Sequence, residues 1–193
     1  MLLVRHGQST WNAEERWQGQ ADPPLSELGE HQAVTARAAV VALAPARVVA
    51  SDLVRARRTA ALLAPEGAQL EVESAWRERS AGEWEGLTRE EIEARFPGWL
   101  AARRSPPGFE GDESLLARAL PALDVLVRRE IDGIALVVTH GGVIGTLERH
   151  FAAPHVRVPN LGGRWFHLRG DDLALGERDV LVDAETVTVP DQI

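Results

Sequence analysis

A chain of 193 residues, 45% apolar and 26% charged, has enough material for one domain with a sizeable core. It has no cysteine, which excludes disulfides, thiolate metal sites and a cysteine nucleophile; all 21 basic residues are arginine, which excludes a Walker A phosphate loop and its lysine. The net charge of −8, with no basic run, argues against nucleic-acid and anionic-membrane partners, yet leaves open a small anion held by locally clustered cations.

Met1 to Asn12 reads MLLVRHGQSTWN. Leu2, Leu3 and Val4 form a buried strand that delivers Arg5 and His6 to its C-terminal end, where open α/β sheets bind ligands. Gly7 permits a sharp turn there, and Ser9, Thr10 and Asn12 follow with small hydrogen-bonding side chains. Together with exposed backbone N–H groups, these residues are donors suited to an anion.

Residues 11–22 read as a loop closed by Pro23 and Pro24. Ser26 then caps a helix whose inward face is Ala33, Ala36, Val40 and Leu43, and Pro45 ends it. Arg47 to Ala50 is a second strand; Ser51 and Asp52 are expected to cap the next helix, placing Arg55 in its first turn. Leu70 to Glu73 is a third strand, closely followed by Trp76, Arg77 and Glu78. Thr88 and Glu91 have capping-box spacing before a short acidic helix that stops by Pro97. The Pro- and Gly-rich segment 103–112 is expected to be the most mobile loop. A helix from Ser114 to Arg129 should bend or restart at Pro121.

Ile134 to Thr139 is the strongest strand signal, continuous and β-branched like a central parallel strand. It runs into His140, Gly141 and Gly142 and a helix to about Phe151. Arg164 to Leu168 and Asp179 to Asp183 read as short strands or a hairpin at a sheet edge. No leader precedes the first motif and no run approaches the roughly 20 apolar residues of a membrane span, so a cytoplasmic location is expected.

Alternating strands and helices predict an α/β fold with a mainly parallel sheet covered on both faces. In that frame His6, Arg55, Glu78 and His140 each lie just beyond the end of a different strand, and one sheet edge can gather all four. Two arginines and two histidines suit a tetrahedral phosphate, which guanidinium forks grip bidentately. Neighbouring positive charge keeps an imidazole neutral and able to attack phosphorus. Glu78 suits a general acid that protonates the leaving oxygen and later takes a proton from water.

Other chemistries fit less well. The six histidines include no HExxH-type ligand pair, so no metal is expected, and His31, His150, His155 and His167 read as ordinary helix or loop residues. The GGVIG segment after His140 lacks the opening of a dinucleotide fingerprint, and no GxSxG nucleophile elbow occurs. Trp84 and Trp99, with 103–112, are expected to form a substrate-selecting wall. A binding module that recognises phosphorylated ligands without turnover is the rival from outside enzymology.

The segments RHGQSTWN, WQGQADPPLSELG, SDLVRARRTA, WRERSAGEWEG, GDES and VVTHGGVIG, in that order over residues 2 to about 145, resemble the histidine phosphatase superfamily in its phosphoglycerate mutase-like branch. The resemblance implies a three-layer α/β/α sandwich, a single domain over 1–193 with a small cap or lid around 84–113, and no cofactor. It implies His6 as the nucleophile that becomes phosphohistidine and Glu78 as proton donor and acceptor. Arg5, Arg55 and His140 would hold the phosphoryl group, with Gly7, Asn12, Gln18, Gly19 and Gly141 completing the phosphate pocket. Gln8 stands where the family usually has glutamate. The chain is shorter than mutases of this type, which favours water as acceptor and a phosphomonoester hydrolase acting on a small phosphorylated metabolite. A phosphoglycerate mutase and an α-ribazole phosphate phosphatase are the alternatives.

Overall fold

The computed structural model describes residues 1–129, 133–183 and 185–190. Its elements in chain order are β1 (Leu2–Arg5), α1 (Thr10–Ala13), α2 (Glu27–Leu43), β2 (Arg47–Ala50), α3 (Val54–Leu63), β3 (Leu70–Val72), α4 (Arg89–Arg95), α5 (Asp112–Arg129), β4 (Ala135–Thr139), α6 (Gly141–His150), β5 (Gly162–Arg169) and β6 (Asp172–Val180). Two 3-10 turns, Ser74–Trp76 and Gly82–Trp84, fall between β3 and α4.

The sheet has the order β3-β2-β4-β1-β5-β6. The first four strands are parallel and the β5–β6 hairpin is antiparallel at the edge. Alternation of side chains sorts the strands onto two faces. Leu2, Val4, Val48, Ala50, Leu136 and Val138 meet Ala36 and Val40 of α2 and Ala56, Ala60 and Leu63 of α3. Leu3, Val49, Ala135 and Val137 meet Leu115, Ala119 and Leu123 of α5 and Val143, Ile144 and Leu147 of α6. Both faces of the central strands are therefore buried, which explains their unbroken apolar sequence.

The topology also locates a crevice. The connection leaving β1 passes β4 to reach β2, and the connection leaving β4 passes β1 to reach β5. These adjacent parallel strands thus send their chains in opposite directions from their C-terminal ends, the switch point at which such sheets bind ligands.

The structure departs from local expectation in four places. Residues 11–22 are not all loop: Ser9 and Asn12 make a reciprocal capping box around the single turn α1. α3 begins after Leu53, whose side chain caps nothing, and its Val54 N–H is instead taken by the Asp22 carboxylate at 2.6 Å. Asp52, expected as a cap, forms a two-pronged pair with Arg77. α5 starts two residues early and runs through Pro121 as one helix, its amphipathic packing outweighing the lost backbone hydrogen bond.

The segment 103–112 is pinned more firmly than its composition suggests. Phe109 bridges Ala81, Glu83 N–H donates to Pro107 O, Glu110 N–H to Ser80 O, and Arg118 grips the Glu110 carboxylate. Beside it Trp17, Ala81, Trp84 and Ile92 form a satellite core with Phe96, Trp99 and Leu100 around them. Among the described residues no helix is long and apolar enough to cross a membrane.

Candidate active site

His6 follows β1 and is 2% exposed. Its Nδ1 lies 2.6 Å from the Gly7 carbonyl, which can only accept, so Nδ1 carries the proton. Nε2 is left with its lone pair, toward which the Arg55 Nε–H donates at 3.3 Å. Three contacts fix this residue's backbone: His6 N–H to Thr139 O, Gly7 N–H to Thr59 Oγ1 and Asn160 Nδ2 to His6 O at 2.8 Å. Gly7 has no room for a side chain, since a Cβ would stand 2.6 Å from Gly29 O.

Arg55 is fully buried in the first turn of α3. An unpartnered buried guanidinium would be very costly; here its Nη1 and Nη2 donate to the carbonyls of Ala21 and Gly19, both at 2.8 Å. Gly19 has φ +54°, and a Cβ there would meet Ala81 N at 2.6 Å, so glycine alone lets the loop wrap the cation. Arg5 donates from Nη1 to Val158 O at 2.7 Å, and its buried Nε has no partner. Burial lowers both arginines to about 10, with Glu78 opposing that shift, so both stay cationic at neutral pH.

His140 follows β4 and stands at the N-cap position of α6, its ring centroid 5.1 Å from that of His6. Ser51 Oγ accepts the Leu53 N–H and lies 2.9 Å from His140 Nε2, so its own hydroxyl hydrogen is available for that nitrogen. The opposite ring nitrogen, Nδ1, is buried without a partner, as is Nδ2 of Asn12. Glu78, 4% exposed, receives the backbone N–H groups of Arg79 and Gly142 on its two oxygens, at 2.8 and 2.9 Å. A Cβ at Gly142 would fall 2.2 Å from that carboxylate. Gln18 accepts from Ser9 Oγ at 2.7 Å, and Gly141 packs against the Arg5 guanidinium.

The structure thus brings His6, Arg5, Arg55, Glu78 and His140 to one sheet edge, with Gly7, Asn12, Gln18, Gly19 and Gly141 around them. Gly7 and Gly19 serve neighbours here, through carbonyls that accept from His6 and Arg55. Sequence reading missed Ser51, Thr59, Asn160 and the Val158 carbonyl. Ser51 and Thr59 had a signal in their places just after β2 and one turn beyond Arg55; Asn160 and Val158, in the last fifty residues, had none. Trp84 is a core residue, edge-on to Trp17 at 5.0 Å, and Trp99 lies tilted against Phe96 with the Arg104 guanidinium over its ring. Among the described residues no cluster of His, Cys, Asp and Glu could hold a metal ion.

A model of branch 1 of the histidine phosphatase superfamily matches residues 1–163. The chain belongs to this superfamily. Among its relatives, a glucosyl-3-phosphoglycerate phosphatase of Mycolicibacterium vanbaalenii is 35% identical over 95% of this chain and 89% of its own length. A Photorhabdus laumondii protein named "Probable phosphoglycerate mutase GpmB" is 35% identical over 76% of this chain and 72% of its own. The solved structure of a mycobacterial glucosyl-3-phosphoglycerate phosphatase with VO3 superimposes with a TM-score of 0.82 at 32% identity, covering 91% of this chain and 96% of that one.

Electrostatics give this histidine phosphatase a measurable pH dependence. Burial first, then Arg55, holds both His6 and His140 well below the usual imidazole value. The folded chain keeps both rings neutral where the unfolded chain takes up protons. Their contribution to stability is therefore whole above about pH 6.5 and is lost as pH falls from there through the folded values, at up to about 1.4 kcal/mol per pH unit per ring. Asp52, hydrogen-bonded to Arg77, is held below its ordinary value and titrates beneath this window. Urea unfolding from about pH 7.5 to about 5 should show a slope that falls in His140→Gln; an unchanged slope would remove His140 from this role.

Proposed function

We propose that the protein hydrolyses a phosphomonoester through a phosphohistidine on His6. The observation that carries this reading is the His6 ring, proton on Nδ1 and lone pair on Nε2, facing Arg55 and within a cage of Arg5, His140 and Glu78. Arg55 Nε now donates to Nε2. An arriving phosphoryl oxygen offers that N–H a charged acceptor, so ligand binding draws Arg55 off the ring and frees the nucleophile.

In the first step the Nε2 lone pair forms a bond to phosphorus and the P–O ester bond breaks, while the Glu78 carboxyl gives its proton to the leaving oxygen. In the second, water attacks phosphorus and gives a proton to Glu78, and the P–N bond returns its electrons to His6 as inorganic phosphate leaves. Arg5, Arg55 and the free His140 Nδ1 supply donors to the equatorial oxygens, as does the unpartnered Asn12 amide. Segment 84–113 with Trp17 acts as a cap that walls the entrance, supported by its own apolar cluster. Water as acceptor is supported by the phosphatase names of relatives that align over most of the chain.

Rapid quenching after mixing with ³²P-labelled 3-phosphoglycerate tests the reading. Acid-labile label on His6 with release of free phosphate is expected. Isomerised ester in place of phosphate would make the protein a mutase, and turnover with no labelled protein would remove the phosphohistidine.

A further inference from the structure

Glu78 sits on a stretch with no strand or helix to hold it. It lies between the 3-10 turns Ser74–Trp76 and Gly82–Trp84, outside the sheet, so the carbonyls of this stretch have no ladder partner and must find others. Those of Ala75, Trp76, Arg77 and Glu78 all find them in side chains. Thr139 Oγ1 donates to Trp76 O at 2.8 Å, and Gln20 Nε2 to Glu78 O at 3.1 Å. The remaining contacts come from one residue of α5: Arg118 Nη1 donates to Ala75 O and Arg77 O at 2.8 and 2.7 Å, and its Nη2 to Glu78 O at 3.2 Å. We infer that Arg118 is a positioning residue for the general acid, which sets the place of the Glu78 backbone, and so the reach of its carboxyl, without touching substrate. The inference rests on the hydrolase reading above and adds to it a residue outside the cage.

The guanidinium is committed in full. Its Nε and Nη2 also meet the two Glu110 carboxylate oxygens, at 3.0 and 2.8 Å, which together with the three carbonyls occupies all five N–H donors that an arginine has. The two-pronged pair fixes the plane of the fork, and that plane aims Nη1 at Ala75 O and Arg77 O together. Glu110 is itself braced: its N–H donates to Ser80 O, its carbonyl accepts from Arg79 Nη1, and Ser114 Oγ donates to its carboxylate. A lysine, with three donors on one nitrogen, could not serve these carbonyls and this carboxylate at once.

The far end of Glu78 is placed separately. Its carboxylate oxygens take the N–H groups of Arg79 and Gly142, so the side chain spans from the start of α6 to a backbone that Arg118 holds. A general acid must come within hydrogen-bond reach of the leaving oxygen, and misplacement by about 1 Å can cost about 100-fold. The groups that hold the phosphate do not depend on Arg118: Arg5 rests on Val158 O, Arg55 on the Ala21 and Gly19 carbonyls, and His140 on Ser51. Its loss is therefore felt in proton transfer and not in anion binding.

The test compares kcat/KM, which reports the step that phosphorylates His6, on glycerol 3-phosphate and on p-nitrophenyl phosphate. Arg118→Met should lower it by about 10- to 100-fold on the alkyl ester and by no more than about threefold on the aryl ester, whose leaving oxygen needs little protonation. Vanadate affinity, by calorimetry, should stay within about threefold of the wild type. A role confined to stability would slow both esters alike. In protein that already carries Glu78→Gln, Arg118→Met should add no more than about threefold on the alkyl ester, because the proton it places is gone. If Arg118→Met does not fold, Glu110→Gln leaves the carbonyl donors but breaks the two-pronged pair, and should cost about three- to tenfold on the alkyl ester and less than about twofold on the aryl ester. Equal losses on the two esters, a vanadate affinity that falls with the rate, or a full Arg118→Met loss surviving beside Glu78→Gln would overturn the positioning role alone. Glu78→Gln that slows both esters alike would instead remove the acid itself, and this inference with it.

Discussion

Replacing His6 by alanine is expected to lower kcat on p-nitrophenyl phosphate by at least about 10⁴-fold, the scale on which loss of a nucleophile removes covalent catalysis. No neighbour can take its place. His140 has Nε2 engaged by Ser51, and the mechanism needs its Nδ1 as a donor rather than as a lone pair. Binding should survive the change, because Arg5 and His140 are untouched and the Arg55 Nε that now donates to the ring is released to the ligand. Calorimetric titration with vanadate or inorganic phosphate should therefore give an affinity within about tenfold of the wild type, since lost and gained donors nearly offset. A variant that kept one hundredth of the wild-type kcat would show that some other group makes the bond to phosphorus. A variant that lost both turnover and vanadate binding would place His6 in the architecture of the site rather than in its chemistry.

Glu78→Gln carries the second large effect, and its size should depend on the leaving group. An amide cannot give up a proton, so hydrolysis of an alkyl phosphate should slow by about 10²–10⁴-fold, whereas p-nitrophenyl phosphate, whose leaving oxygen needs little protonation, should slow far less in the first step. The geometry adds a smaller, uniform loss. Both carboxylate oxygens accept backbone N–H groups, from Arg79 and Gly142, and a glutamine can satisfy only one of them. The unpaired N–H costs about 1–3 kcal/mol and will appear in stability as well as in rate. Comparing the two esters separates the effects, since the structural loss acts on both alike. Equal slowing of alkyl and aryl esters would take the proton from Glu78 and leave it a scaffold for the start of α6.

Much of this was legible in the sequence because it is local. Leu2 to Val4 and Ala135 to Val138 are continuous apolar runs, as strands buried on both faces are, and each is followed one residue later by a histidine beside glycine. The capping pairs Ser26 with Gly29 and Thr88 with Glu91 lie within four residues of each other, so the helix starts could be read directly. Once strand ends were placed, the chain order put His6, Arg55, Glu78 and His140 at one edge, and the family resemblance pointed to the same residues. Composition alone removed cysteine chemistry and the P-loop.

Only the tertiary structure decided how those residues are tuned. The Arg5 guanidinium is held by a carbonyl 153 positions away and the His6 carbonyl by an amide 154 positions away, and no window of sequence reports such pairings. The cap of α3 comes from Asp22, not from the adjacent Asp52, because loop packing brings a distant carboxylate closer to the orphan N–H than the local one. The tautomer of His6 follows from a carbonyl contact that depends on the turn at Gly7, and the place of the 155–158 loop follows from Arg178 of β6, which holds the Val156 carbonyl, and from Arg5, which holds that of Val158. Periodicity and end signals are properties of neighbours along the chain, and they determine which residues reach the site. The direction of each proton and the charge of each wall are set by contacts between segments far apart in sequence, and these exist only once the sheet has closed.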